Sequence, residues 1–172
     1  MQSPSNDESA YSTKHALRAD LRAPPIVPRH RGSNDNGRIG SGALGHLGDQ
    51  PGEMGDALPT VQLGSGMAAA RICEHAFESE HTCVLLQACP DAEPGCSKVK
   101  CWGSSGGLGY DGNPAGTIGD ANGEMGDALP FVDVGAVVVD APGSLVCGFQ
   151  FHTCVRVEGG HVRCWEIGRA HV

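Results

Sequence analysis

The chain alternates between short apolar runs and long polar, glycine-rich stretches, and no apolar run carries a helical period. Residues 58–63, 69–72, 82–86 and 99–102 are apolar runs of four to six residues, bounded by Gly, Pro, Asp or Ser. Several carry β-branched side chains, so they predict strands rather than helices. The series returns as 129–134, 137–139, 153–157 and 162–165. Four short strands per unit, joined by Gly-rich turns, make up one antiparallel blade of a propeller.

The recurrence is in the residues as well as in the pattern. Glu53-Met-Gly-Asp-Ala-Leu-Pro returns from position 124, a shift of 71, and His81-Thr82-Cys83 returns as His152-Thr153-Cys154 at the same shift. Arg31-Gly32-Ser33 aligns with Trp102-Gly103-Ser104 in the same frame. Cys101-Trp102 recurs as Cys164-Trp165 after only 63 residues, because the stretch behind His-Thr-Cys is 8 residues shorter in the second copy. A fixed-period self-match is the mark of a repeat architecture, whose function usually lies on a composite surface rather than in a cleft. The expected fold is all-β: two tandem four-stranded antiparallel blades of a partial β-propeller, with long Gly-rich loops. The units are 31–101 and 102–165, behind a disordered or unrelated leader, 1–30. Pro59 and Pro130 fit the first residue of a strand, where a missing N–H is tolerated. Leu58 and Leu129 are then expected to face the core between units.

These residues resemble the regulator-of-chromosome-condensation repeat family, in its Cys-bearing variant. The resemblance rests on His81-Thr82-Cys83-Val84-Leu85-Leu86, Val99-Lys100-Cys101-Trp102-Gly103, Gly107-Leu108-Gly109, Ile118-Gly119-Asp120 and the Gly-Glu-Met-Gly-Asp-Ala-Leu-Pro lead-in, and covers about residues 31–165. His81, Trp102, His152 and Trp165 are its landmarks here. Glu78-Ser79-Glu80 and Gln150-Phe151 depart from the Gly-Gly pair that the family usually carries just before the residue preceding His-Thr. The resemblance implies a seven-bladed ring, so a chain with two units is expected to be a fragment of a longer propeller whose remaining blades lie elsewhere. It also implies a non-catalytic scaffold that binds a protein partner. Family roles in nucleotide exchange need a complete ring, and light sensing needs more tryptophans than Trp102 and Trp165.

Composition narrows the alternatives. Gly and Pro supply 26 and 11 of 172 residues, and aromatics only 5%, which suits short strands and loops. A formal charge of −8 with no basic patch disfavours a nucleic-acid partner. No apolar run approaches the ~18 residues of a membrane span, and no signal peptide is visible, so localisation stays unassigned. Residues 166–172 spell what a common sequencing-library adapter encodes, and are expected to be an adapter-derived tail.

Eight cysteines are the chemically loaded feature. A three-residue turn at Glu158-Gly159-Gly160 would pair Val157 with His161 and place Cys154 opposite Cys164, within reach of a disulfide. Cys83 and Cys101 hold the same places in the first unit, and Cys89 and Cys96 fit a nested bridge in its longer loop. Cys73 and Cys147 have no equivalents. The competing reading keeps these thiols reduced, as small apolar side chains. Cys73-Glu-His75 and His81-Thr-Cys83 lack the short Cys-to-Cys spacing of structural zinc sites. His81 and His152 are read as structural, with the imidazole bonding backbone between blades. Asp120-Ala-Asn-Gly-Glu-Met-Gly-Asp127 has the oxygen donors of a calcium loop, yet Phe131 stands where its closing acid belongs. Gly103-Ser-Ser-Gly-Gly-Leu-Gly109 is followed by residues that cannot open the helix a dinucleotide loop needs. No catalytic, cofactor or metal residue is assigned. Two further functions are carried beside the scaffold: a disulfide-stapled secreted or surface repeat binding carbohydrate or calcium, and a non-functional transcript fragment.

Overall fold

In the computed structural model the described residues are 28–75, 79–88, 97–110, 116–148 and 152–166. Most of the leader, Cys89, Cys96 and most of the expected tail lie outside them. Among the described residues the regular structure is eight strands and a few 3-10 turns. The strands are β1 (Ala68–Ile72), β2 (Glu74–His75), β3 (His81–Ala88), β4 (Val99–Ser104), β5 (Thr117–Ile118), β6 (Leu145–Cys147), β7 (His152–Arg156) and β8 (Val162–Glu166).

Two open sheets result. The first runs β1-β3-β4-β5, antiparallel throughout. The second runs β2-β6-β7-β8, antiparallel except for the two residues of β2, which add to β6 in parallel. The sheets therefore do not coincide with the units 31–101 and 102–165. The chain leaves the first sheet at Cys73 and lends β2 to the second, while β5, from beyond position 102, closes the first.

The same letters are buried differently in the two sheets. In β3 all of His81 to Leu86 is buried, whereas β7 alternates, with Thr153 and Val155 inward and His152 and Arg156 outward. A strand covered on both faces can be apolar throughout, while a half-covered one must alternate. β3 lies between residues 28–63 on one side and β6 on the other. A single apolar cluster spans both sheets, from Val61 and Leu63 through Val84, Leu85 and Trp102 to Leu129, Val138 and Val155.

Three sequence expectations need correction. Residues 58–63, 129–134 and 137–139 are not ladder strands; they are extended connectors with one isolated bridge each, Arg29 to Thr60, Val99 to Val132 and Val138 to Val157. In the first two, Pro59 and Pro130 withhold a ladder donor. Residues 28–30, assigned to the leader, belong to the fold. Val61 N–H donates to the Pro28 carbonyl at 2.9 Å as Val132 N–H donates to the Val99 carbonyl at 2.8 Å. The stretch from Pro28 thus sits against 58–63 as β4 sits against 129–134. Finally, the counterpart of the run 69–72 is not 137–139 but β6, which does not follow the shift of 71. Ile72 faces Val84 and Leu145 faces Val155, so the facing residues differ by 71 while Ile72 and Leu145 differ by 73. Two extra residues in 137–144 absorb the difference, which tight turns allow because the paired strands need not move.

Candidate functional site

Two backbone carbonyls serve as hubs, one where residues 28–63 meet the first sheet and one at the junction of the two sheets. Thr82 Oγ1 and Trp102 Nε1 both donate to the Arg38 carbonyl, each at 3.0 Å. Thr153 Oγ1 and Trp165 Nε1 donate to the Gly107 carbonyl at 3.0 and 2.9 Å. A carbonyl oxygen has two lone pairs, so each acceptor is saturated. The glycine two residues on makes this approach possible. Gly40 and Gly109 have φ of 70° and 76°, and a Cβ there would stand 2.7 and 2.4 Å from the indole Nε1 of Trp102 and Trp165.

His81 extends the second hub across the junction. Its Nε2 lies 2.7 Å from Thr153 Oγ1. The single Thr153 proton is committed to Gly107, so Nε2 carries the hydrogen and donates. The ring packs on Gly107, where a Cβ would fall 2.5 Å from His81 Cε1. His81 thus bonds a side-chain hydroxyl of the neighbouring sheet, a partner the sequence reading did not name. Its counterpart His152 is exposed at the outer side of the second sheet, within the strand that hydrogen-bonds Gly148.

Charged groups are turned to backbone in the same way. Lys100, only 1% exposed, donates through Nζ to the carbonyls of Leu63 and Gly126 at 2.7 and 2.8 Å. Burial pulls its ammonium below the usual lysine range, and Asp127 opposes the shift. Arg29 donates to Gly55 and Arg163 to Val134, each a partial version of the Lys100 contact. Glu53 Oε2 accepts from the N–H groups of Gly48, Asp49 and Gln50, and Glu124 Oε2 from those of Gly119, Asp120 and Ala121. These bonds, chiefly from Gln50 and Gly48, hold the Glu53 carboxyl below its ordinary value. In the stretch considered for calcium, Glu124 therefore faces donors, the surroundings of an anion. Asp127 reaches across to the first copy and takes both the N–H and the hydroxyl of Ser65 at 2.7 Å.

Among the described residues three disulfides cross-link this framework. Cys83 and Cys101 are direct cross-strand partners with Cα atoms 4.1 Å apart. Cys154 and Cys164 are placed identically on β7 and β8, also at 4.1 Å, behind the Glu158–Gly160 turn. The third bridge, Cys73 to Cys147, joins the two sheets with a Cα separation of 5.6 Å. Sequence reasoning left those two cysteines unassigned, since neither has a counterpart at a shift of 71. The signal was their number: with the other six paired, only these two remain.

Of the other landmarks, Leu58 and Leu129 are both buried, each at the end of a matching 3-10 turn, Gly55–Ala57 and Gly126–Ala128. Sequence reasoning missed Thr82, Thr153 and the acceptor carbonyls, because a carbonyl leaves no letter in the sequence. Strand β8 forms the outer edge of the second sheet. Val162 is 63% exposed, while the corresponding Val99 on β4 is 0% exposed and bridged by Val132. Compared with known proteins, the chain matches no family model, no curated protein and no solved structure.

Proposed function

We propose that the chain is a non-catalytic repeat scaffold for protein–protein interaction, comprising two blades of a regulator-of-chromosome-condensation-like propeller, with β8 as its docking edge. One observation carries this reading. β4 is covered along its outer side by residues of its own chain, whereas β8, with the same Val-basic-Cys-Trp order, pairs only with β7 among the described residues. An open strand edge offers a row of N–H and C=O groups to an added strand. The natural occupant is an extended Leu-Pro-x-Val segment like the one that covers β4, supplied by a further repeat or by a protein partner.

The test is a peptide of residues 126–134 added to the oxidised chain and followed by amide NMR. Shifts confined to 162–166, lost when Arg163 is replaced by proline, are expected. Absence of shifts at millimolar peptide would exclude β8 as a docking edge. The disulfides also favour a second reading, a stapled secreted or surface repeat, because such bonds persist in oxidising compartments. Counting free thiols in protein isolated under alkylating conditions separates the two.

A further inference from the structure

We propose that the junction of the two sheets is a latent metal site: on reduction, Cys73, Cys83, Cys147 and His81 bind one zinc ion. A ring nitrogen of His81 and the sulfurs of Cys83 and Cys147 all lie within 4.8 Å of one another, and all three residues are buried. Cys73 is bonded to Cys147, and its sulfur lies 3.2 Å from the Cys83 amide nitrogen, so a third sulfur borders the cluster. Three thiolates and one imidazole form a recognised tetrahedral zinc set.

The chemistry favours occupation. Two equivalents of a dithiol reductant open the Cys73–Cys147 and Cys83–Cys101 bonds, each bond taking two electrons and two protons while one dithiol closes to its own disulfide. Thiols then remain on all four cysteines. Zinc binding at Cys73, Cys83 and Cys147 releases their three protons to solvent, and Cys101 keeps its own. An isolated thiolate would be costly in this apolar pocket, whereas one shared with a dication is not. The ion would link the same two sheets that the Cys73–Cys147 bridge links in the oxidised chain. The second sheet lacks the set: His152 and Cys154 recur, but Val146 takes the place of Cys73 behind Leu145, and His152 is exposed. The cluster thus belongs to the junction and not to each copy.

The experiment uses the full chain, reduced, stripped of metal and titrated anaerobically with cobalt(II) as a spectroscopic stand-in. One equivalent is expected, with thiolate-to-cobalt absorption and the visible bands of a tetrahedral ion, displaced by zinc. Binding should weaken at least about 100-fold in Cys147→Ser and persist in Cys154→Ser and in Cys89→Ser/Cys96→Ser. X-ray absorption of the zinc-loaded wild type should give three sulfurs at about 2.3 Å and one nitrogen at about 2.0 Å, independently of whether any variant folds. The proposal is overturned by no uptake at tens of micromolar, by unchanged binding in Cys147→Ser, by equal binding to the oxidised chain, or by a shell without nitrogen.

Discussion

The Nε2 atom of His81 lies 2.7 Å from the hydroxyl of Thr153, 72 residues further along the chain, and this contact joins the two sheets through buried polar atoms. Thr153 accepts from His81, donates to Gly107 and lies 3.8 Å from Cys83 Sγ, whereas Thr82 has the Arg38 carbonyl as its hydroxyl partner. Replacing Thr153 by valine keeps the shape and strands a buried imidazole N–H. It should cost about 2–3 kcal/mol, against about 1 kcal/mol for Thr82→Val. Urea denaturation of the oxidised variants measures both. Equal or reversed costs would remove Thr153 from the centre of the junction.

The disulfides should rank by the chain they enclose. Cys73–Cys147 spans 74 residues, Cys83–Cys101 spans 18 and Cys154–Cys164 spans 10. Loop-closure entropy assigns these about 4.4, 3.2 and 2.7 kcal/mol respectively. Paired serine variants, unfolded in urea without reductant, should lose stability in that order. If the Cys154/Cys164 pair costs most, the inter-sheet bridge is not the principal cross-link.

What could be read from the letters and what could not divides along physical lines. The Cys154 to Cys164 register was legible because a hairpin fixes pairing through turn length and side-chain period, and the Cys83 to Cys101 register followed from the same places in the first repeat. Disulfides and β-sheet were accordingly within reach of the sequence. The Cys73–Cys147 bridge and the loan of β2 to the second sheet were not, since both depend on how two sheets sit together. Residues 58–63 looked like a strand because their apolar content matches one. They remain extended without a ladder, because Pro59 lacks a donor and their neighbour is the short stretch beginning at Pro28. The capping roles of Glu53 and Glu124 were present as an identical letter at the shift of 71, but the amides they bind carry no side-chain signal.

Tyr110 should give the alkaline limb of stability a distinct component. Its hydroxyl lies 2.8 Å from the Cys101 carbonyl, 3.0 Å from the Cys101 amide nitrogen and 3.2 Å from the Pro130 carbonyl. Burial, the larger effect, raises its pKa far above the usual 10.0. The unfolded chain then loses this proton above about pH 10 while the folded chain keeps it, so the contribution is complete below that pH and is lost as pH rises. Tyr110→Phe should cost about 1 kcal/mol at neutral pH and flatten the decline above pH 10. Absorbance titration checks the origin: the Tyr110 phenolate should appear only on unfolding. Its ionisation near pH 10 in the folded chain would contradict the buried placement.

Gly109 and Gly40 should both resist replacement, each for the indole it faces. Alanine at either must hold a positive φ, of 76° or 70°, and place a Cβ within 2.4 or 2.7 Å of an indole nitrogen. Left-handed backbone costs a side-chain-bearing residue about 1–2 kcal/mol, and the steric displacement adds about 1–3 kcal/mol. The two sites should differ in outcome. Trp165 is only partly buried and can swing away from the Gly107 carbonyl, so Gly109→Ala should red-shift its emission at modest cost. Trp102 is 1% exposed, and the Gly40 site is also closed by the Met125 side chain, so Gly40→Ala should be the more destabilising change. Indole N–H resonances resolve the two rings: Gly109→Ala should move the Trp165 signal and leave that of Trp102 in place. Movement of Trp102 alone would show that the two carbonyl hubs are assigned to the wrong glycines.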